Sequence, residues 1–439
     1  MIYLLFLCVF ALMILSGFIF KKDITSPAFL MTAGFTVSLL CCCLYANQWM
    51  FHDYRLFFVV FLGLLSFVIF SGLTFSLEKE AGKKSRRQTE NDPSGTLRIP
   101  QIKLVLYLAF QSIMVLIHLF ELHKNFGMGS LAAAIGYYYN ANNSGTLAFK
   151  SSLLGICNIL NMPAVYIILY IMAYNISHKM KCHILLWVNV GFAAANSLLD
   201  GTRTTFFMYV VAFLVMYMIQ RQRVTGEERN INLKNVIKAV GVFIVGIVCF
   251  VALLSLQGRV LSDITVVDLV ANYLGAPVKN LEFSIEETAN TAKQFGETTF
   301  IDTYSWLNDI LGYVKFEKPN VYRYRWINGK ILGNVYTQFM PLYRDFGIAG
   351  VIVIMGFLGF FCQKIYNCVR INGDRCGMDY TLLFYSYLAF AIIFSFYSNK
   401  FFELIFARAI IYNMVGVVLF DIFFFRLKLK NGHFVIETK

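Results

Sequence analysis

Runs of about 20 consecutive apolar residues recur along this chain, from IYLLFLCVFALMILSGFIF near its start to GVIVIMGFLGFFCQKIY from Gly350. A run of that length spans about 30 Å of hydrocarbon as a helix, and in lipid every backbone N–H and C=O must be satisfied within the segment. The constraint selects helices. About eleven spans can be placed, with approximate limits 2 to 20, 27 to 45, 57 to 76, 102 to 124, 152 to 174, 183 to 199, 203 to 219, 236 to 255, 346 to 366, 380 to 397 and 403 to 425. Composition agrees, because 58% hydrophobic and 14% charged residues lie outside the range of soluble domains. The predicted fold is an all-α polytopic membrane protein in three parts. Residues 1–255 carry spans one to eight with a charged linker at about 77–101. Residues 256–345 form one large external loop, and residues 346–439 carry spans nine to eleven and a tail. The first span lacks a basic leader region and a small-residue cleavage site, so it reads as a retained helix.

Orientation follows from the basic residues of the short loops. Lys21, Lys22, the run KEAGKKSRRQTENDPSGTLR, Lys179, Lys181, Arg221, Arg223, Arg229, Lys364, Arg370, Arg375 and the tail from Arg426 fall on one side. With eleven spans that side is the cytoplasm, the N-terminus is outside and the C-terminus inside. Most of the +13 net charge is accounted for in this way, so no nucleic-acid partner is needed. The ten cysteines lie in spans or cytoplasmic loops, which argues against a disulfide framework. Cys41-Cys42-Cys43 reads as small apolar packing rather than metal or redox chemistry.

The external loop is too long to be structureless. SDITVVDLVANYLG, NLEFSIEETANTAKQF and TYSWLNDILGYV carry helical spacing of apolar residues. In VYRYRWINGKILGNVY, Tyr322, Tyr324 and Trp326 alternate with Arg323 and Arg325 ahead of Asn328-Gly329, the preferred pair for a tight hairpin turn. The segment fits either a hairpin with a wet face or a platform on which sugar rings rest between hydrogen-bonding arginines.

Three arginines occupy an unfavourable place. Every odd-numbered span runs outside to inside, so its positive dipole end faces the exterior. Arg203 begins span seven, Arg344 precedes span nine, and Arg408 lies about a turn into span eleven. A cation within the membrane costs about 2.5 to 3.5 kcal/mol at the centre and less near the edge. A bound anion converts these penalties into attraction, and guanidinium forks beside helix N-termini suit phosphate oxygens. The plainer alternative is snorkelling toward headgroups with Asp200, Asp345 or Glu403 as partners. Asp345 itself reads as the N-cap of the following helix ahead of a catalytic base. His118 and Glu121, three apart in span four, fit a polar interhelical contact, a part in the site, or, least well, a metal. The sequence has no Walker loop, GxSxG, HExxH or DxD pair, which disfavours nucleotide-linked donors and metal chemistry.

LLDGTRTTFFMYVVAF, ANYLGAPVKNLEF and GNVYTQFMPLYRDFGIAG resemble the G-x-R, Tyr-Gly-x-Pro and N-x-Y-T with Y-x-D-F-G-x-x-G segments of the oligosaccharide repeat-unit polymerases, the O-antigen and capsule (Wzy-type) family. The similarity covers about residues 190 to 366; the first half matches only in hydropathy. The resemblance implies a bacterial plasma-membrane glycosyltransferase that polymerises repeat units carried on undecaprenyl diphosphate, without cofactor or metal. Further expected partners are membrane lipid, a chain-length regulator and a flippase. Arg203, Tyr273, Asn334, Tyr336, Arg344, Asp345 and Gly347 are the positions to which the family pattern carries.

The expected site joins Arg203, Arg344 and Arg408 on the leaving diphosphate, with His118 or a carboxylate such as Asp345 taking the acceptor proton. Tyr273, Lys279, Arg323, Tyr324, Arg325, Trp326, Asn334 and Tyr336 are the expected substrate contacts. The alternatives are a transporter of lipid-linked oligosaccharide, or a ligase that moves the finished glycan to another acceptor.

Overall fold

The computed structural model describes residues 1–85, 97–127, 129–144, 152–201, 203–225, 265–287, 294–312, 322–373, 377–430 and 433–436. The expected span at 236–255, the linker residues 86–96 and parts of the long loop lie outside them. Helix dominates the described residues, as the apolar runs require.

The chain order begins with α1 (Ile2–Ile19), α2 (Pro27–Leu44), a short α3 (Ala46–Trp49), α4 (Arg55–Ser85) and α5 (Gln101–Phe126). It continues with α6 (Leu131–Ser144), α7 (Ser152–Ser177), α8 (Ile184–Leu199) and α9 (Thr204–Thr225). The long connection holds α10 (Val266–Leu274), α11 (Ala276–Glu287), α12 (Ile301–Leu311) and a hairpin of β1 (Arg325–Ile327) and β2 (Lys330–Gly333). After it come α13 (Phe339–Ile371), α14 (Tyr380–Ile393), α15 (Lys400–Ile405) and α16 (Arg408–Asp421). A second small hairpin, β3 (Leu427–Lys430) with β4 (His433–Ile436), ends the described chain and was not anticipated; nor was α6.

Among the described residues, eight helices are long and apolar enough to cross a membrane: α1, α2, the part of α4 to Leu77, α5, α7 from Leu154, α9, α13, and α16 extended to Arg426. The shorter α8 and α14 are apolar as well. Their outer faces turn large apolar side chains away from the bundle, among them Leu73, Leu116, Val353 and Val418, each more than half exposed. Such a continuous apolar exterior has no place in water and fits lipid. The chain is a helical, membrane-embedded protein.

Inside, α4 and α13 pack along each other. Lipid offers no hydrophobic drive for helix association, so small residues and interhelical hydrogen bonds carry it. Gly359 is the tightest point: a Cβ there would lie 2.3 Å from the Phe67 carbonyl oxygen. The Ser71 hydroxyl donates to the Gly359 carbonyl at 3.0 Å, and the Ser66 hydroxyl to that of Ile352 at 2.7 Å.

The long connection does not simply cover one end of this bundle. α11 wedges among α2, α4 and α13, and its residues from Ala276 to Leu281 are all buried. Cys42 donates from Sγ to the Gly275 carbonyl at 3.3 Å and Ser38 to that of Leu274 at 2.5 Å, so the middle member of the cysteine run packs against the connection.

Two breaks shape the same end. α13 changes direction at Gly347 (φ 65, ψ −167), a backbone conformation open essentially to glycine alone. The expected span at 403 to 425 is interrupted at Phe406–Ala407, and α16 begins afresh at Arg408. Arg408 therefore opens its helix instead of lying a turn inside it.

Candidate active site

The connections after α2, α5 and α8, the long connection and the segment from Phe394 to Arg408 meet at one end of the bundle. Arg203 stands immediately before α9. Its Nη2 donates to the Tyr273 hydroxyl at 3.1 Å, and its guanidinium lies 5.1 Å from that ring's centroid. Tyr273 on α10 stacks in turn on Tyr397, with centroids 6.4 Å apart and planes 17° from parallel. Arg203 and Tyr273, 70 residues apart in sequence, are thus held together by a guanidinium on an aromatic face.

A second group gathers on the hairpin. Ile327 pairs with Lys330, leaving Asn328 (φ 49) and Gly329 (φ 75) as a two-residue turn with both φ positive, as the Asn-Gly pair requires. Alternation along the strand sorts the side chains. Tyr324 and Trp326 are both more than half exposed, with rings 6.1 Å apart, while Arg325 points inward. Its Nε donates to the Tyr336 hydroxyl at 2.9 Å, its Nη1 to Glu287 Oε1 at 2.6 Å, and its Nη2 to Glu287 Oε2. The hydrogen bonds from Arg325 hold the Glu287 carboxyl below its usual range, with Arg323 and Arg344 adding to the effect. The buried Tyr336 also donates to the Arg323 carbonyl at 2.9 Å. Arg323, Arg325 and Tyr336 are therefore brought together. Asn334 is half-buried in the connection that follows, which Asn280 fixes through a 2.8 Å bond to the Val335 carbonyl.

The third group surrounds Tyr322. Its ring meets that of Tyr336 edge-on at 5.9 Å. Burial pushes the phenol far up, and the carboxylates of Glu403, Asp302 and Asp345 push it further, while Arg344 opposes them. Asp345 accepts from the backbone N–H groups of Thr298 at 3.0 Å and Thr299 at 2.6 Å. The N-cap expected on its own helix is absent because that helix already runs from Phe339. The carboxylate instead collects free N–H groups from the turn that leads into α12. Asn399 closes the link to the segment after α14 by donating to the Thr299 carbonyl at 3.1 Å.

Arg408 lies at the edge, 3.8 Å from Asp309 on α12, with both side chains more than half exposed. Glu403, considered from sequence as its partner, is bound by Lys400. Around this edge, Phe300 packs edge-on against Phe402 at 5.2 Å.

Two expected residues are placed differently. His118 is buried between α5 and α8, with Nδ1 3.3 Å from Asn196 Oδ1 and Nε2 3.9 Å from Asp200. Glu121 is buried on the same helix and accepts from Tyr138 at 3.2 Å, giving the polar interhelical contact. Lys279 is buried in α11. Its Nζ donates to Glu282 and to the Met50 carbonyl at 2.9 Å, and lies 4.6 Å from the Phe283 ring centroid. Glu282 additionally accepts from the N–H groups of His52 at 2.6 Å and Asp53 at 2.8 Å. This cluster is satisfied by protein and ties α11 to the connection before α4.

Glu287, Asp302 and Tyr397 were not singled out from sequence. The only signal for Glu287 was its position at the end of an apolar helical pattern followed by basic residues in the hairpin. Chemically, the arrangement offers three guanidinium groups at or just before apolar helical segments, carboxylates held close to them, and exposed aromatic rings. It can bind an anion and hold a proton acceptor nearby. No family model, curated protein or solved structure matches the chain.

Proposed function

We propose that the chain is a bacterial plasma-membrane glycosyltransferase that polymerises oligosaccharide repeat units carried on undecaprenyl diphosphate. The carrying observation is that Arg203 just before α9, Arg344 three residues before the break in α13 at Gly347, and Arg408 as the first residue of α16 lie at a single end of the bundle. Helix N-termini and guanidinium groups both attract phosphate oxygens, which supports an anion as the ligand of this end. In this reading that end is the outer one, the N-terminus is outside, and the chain crosses the membrane eleven times.

The donor is the growing glycan on its lipid diphosphate; the acceptor is one lipid-linked unit. A hydroxyl at the acceptor's non-reducing end attacks the donor's anomeric carbon. The new C–O bond forms as the bond to the diphosphate oxygen breaks, and that oxygen leaves with the electron pair. Arg203 and Arg344, with Arg408 at the edge, stabilise the charge as it develops, which lowers the barrier rather than only tightening binding. The hydroxyl proton passes to a carboxylate beside Tyr322. Asp302, Glu403 and Asp345 are the candidates, with Glu403 paired to Lys400 and Asp345 accepting from the Thr298 and Thr299 N–H groups. Base assistance contributes about 10² to 10⁴ in rate. Tyr324 and Trp326 offer apolar faces to pyranose C–H groups. Direct displacement inverts the anomeric centre.

The test uses purified chain with lipid-linked repeat units as sole substrate. A ladder of products in steps of one repeat unit is expected. Translocated but unextended lipid would make the chain a transporter, and transfer only to a second type of acceptor would make it a ligase.

A further inference from the structure

Residues 394–399, between α14 and α15, touch the holders of two of the three arginines. Phe394–Phe396 form a single 3₁₀ turn that continues α14 without a gap. α2 clamps this turn: a Cβ on Gly34 would lie 2.5 Å from the Ile393 carbonyl oxygen and 3.2 Å from the Phe396 ring. Glycine is the residue that permits so close an approach of backbones. Ser395, Phe396 and Asn399 are buried, so the segment is a fixed part of the bundle.

Its contacts run in two directions. Toward α9, the Tyr397 ring stacks on Tyr273, whose hydroxyl and ring face hold the Arg203 guanidinium. Phe394 meets Phe207, one turn after Arg203, with ring centroids 6.4 Å apart. Toward α13, the Ser395 carbonyl accepts at 2.9 Å from the N–H of Gln338, which stands immediately before the helix that carries Arg344. Asn399 donates to the Thr299 carbonyl, and the N–H of Thr299 binds Asp345, the neighbour of Arg344. Arg203 and Arg344 are far apart in sequence, yet one short segment braces both.

We infer that residues 394–399 are the brace that sets Arg203 and Arg344 in place for a shared diphosphate, with Tyr397 and Asn399 as its positioning residues. The inference rests on the proposed reading of those arginines as the anion site. Two guanidinium groups grip one diphosphate only at the right separation, and a misplacement of about 1 Å costs about a hundredfold in rate. Tyr397 acts through Tyr273 on Arg203. Asn399 acts through Thr299 on Asp345, and so on Arg344.

The test is a pair of double-mutant cycles on the purified full-length chain, read by affinity for farnesyl diphosphate and by the initial rate of glycan extension. Tyr397→Leu is expected to weaken farnesyl diphosphate and to slow extension about tenfold, within the range for residues of one contact network. In the Arg203→Ala background it should add nothing. Asn399→Ala should likewise lose its effect in the Arg344→Ala background, and each should keep its effect when the arginine backgrounds are exchanged. Tyr397→Phe keeps the stacked ring and should keep most of the affinity. A merely structural role would instead lower the ligand-free thermal midpoint and add to both arginine variants alike. The two cycles are independent, so a variant that fails to fold in one leaves the other to decide. Additive effects in the cycles, or wild-type affinity and rate in Tyr397→Leu and Asn399→Ala, would overturn the inference. Coupled binding without extension by the wild type would support the brace and overturn the transfer reaction, whereas extension with additive cycles would do the reverse. Neither binding nor extension would overturn both.

Discussion

Lys279 is 3% exposed against a fully buried Glu282, whereas Arg408 and Asp309 stand 3.8 Å apart with most of both side chains in the open. Both cations were expected from sequence to face substrate, and both lie toward the same end of the bundle. The ammonium of Lys279 is consumed by Glu282, the Met50 carbonyl and two aromatic faces. A charge so placed holds α11 in the bundle. The guanidinium of Arg408 is only loosely engaged, and an exposed pair of that kind contributes little to stability. The difference separates cations that build the fold from cations left for a ligand.

The largest expected effect tests the structural side of this contrast. Lys279→Ala leaves Glu282 buried without its counter-charge, which typically costs about 3 to 5 kcal/mol. Folded protein recovered from membranes should fall severely. Normal recovery with lost activity would move Lys279 to the substrate side. Next, Gly347→Ala meets no neighbouring atom, so its cost is backbone strain alone, about 1 to 3 kcal/mol. The thermal midpoint in detergent should drop accordingly; an unchanged midpoint would mean that the break in α13 is not a fixed feature.

Smaller effects sharpen the ligand side. Tyr324→Ala and Trp326→Ala remove exposed rings and should change stability by no more than about 0.5 kcal/mol. Their effect should appear as weaker use of glycan substrate at matched protein level, and normal polymerisation would leave the rings without that role. The smallest change concerns Glu287, whose carboxyl is held low by Arg325. A depressed carboxyl stabilises the fold above its unfolded pKa of about 4.3 and loses that contribution as pH falls through the lower folded value. Because half of Glu287 is exposed, its advantage over Glu287→Gln should be small near pH 7 and vanish in acid, read as converging midpoints.

The apolar helices were readable because lipid leaves a 20-residue run little choice, and the Asn328-Gly329 turn because two positive φ angles need those residues. Depth was not readable. The helical pattern of α11 shows an apolar face but not the wedge between α2, α4 and α13, and Lys279 with Glu282 at i, i+3 looks like an ordinary surface pair. The break at Phe406–Ala407 interrupts a run whose hydropathy continues across it, and the break at Gly347 falls at the start of a run inside a longer helix that begins at Phe339. Asp345 reads as the N-cap of the following helix, but the N–H groups it accepts from, those of Thr298 and Thr299, are 47 and 46 residues away in sequence. Local reasoning could only offer the nearest helix.

The account rests on Arg344 binding diphosphate while its neighbour Asp345 organises the turn before α12. The most direct measurement is the initial rate of glycan extension on lipid-linked repeat units by Arg344→Lys and Asp345→Asn at matched folded protein. A single ammonium cannot reproduce two parallel N–H bonds to phosphate oxygens, so Arg344→Lys should lose about 3 kcal/mol of transition-state stabilisation, about a hundredfold in rate. Asp345→Asn keeps an acceptor oxygen for the Thr298 and Thr299 N–H groups and should retain most of the rate. Full activity in Arg344→Lys together with severe loss in Asp345→Asn would contradict the account and make Asp345 the residue that acts on substrate.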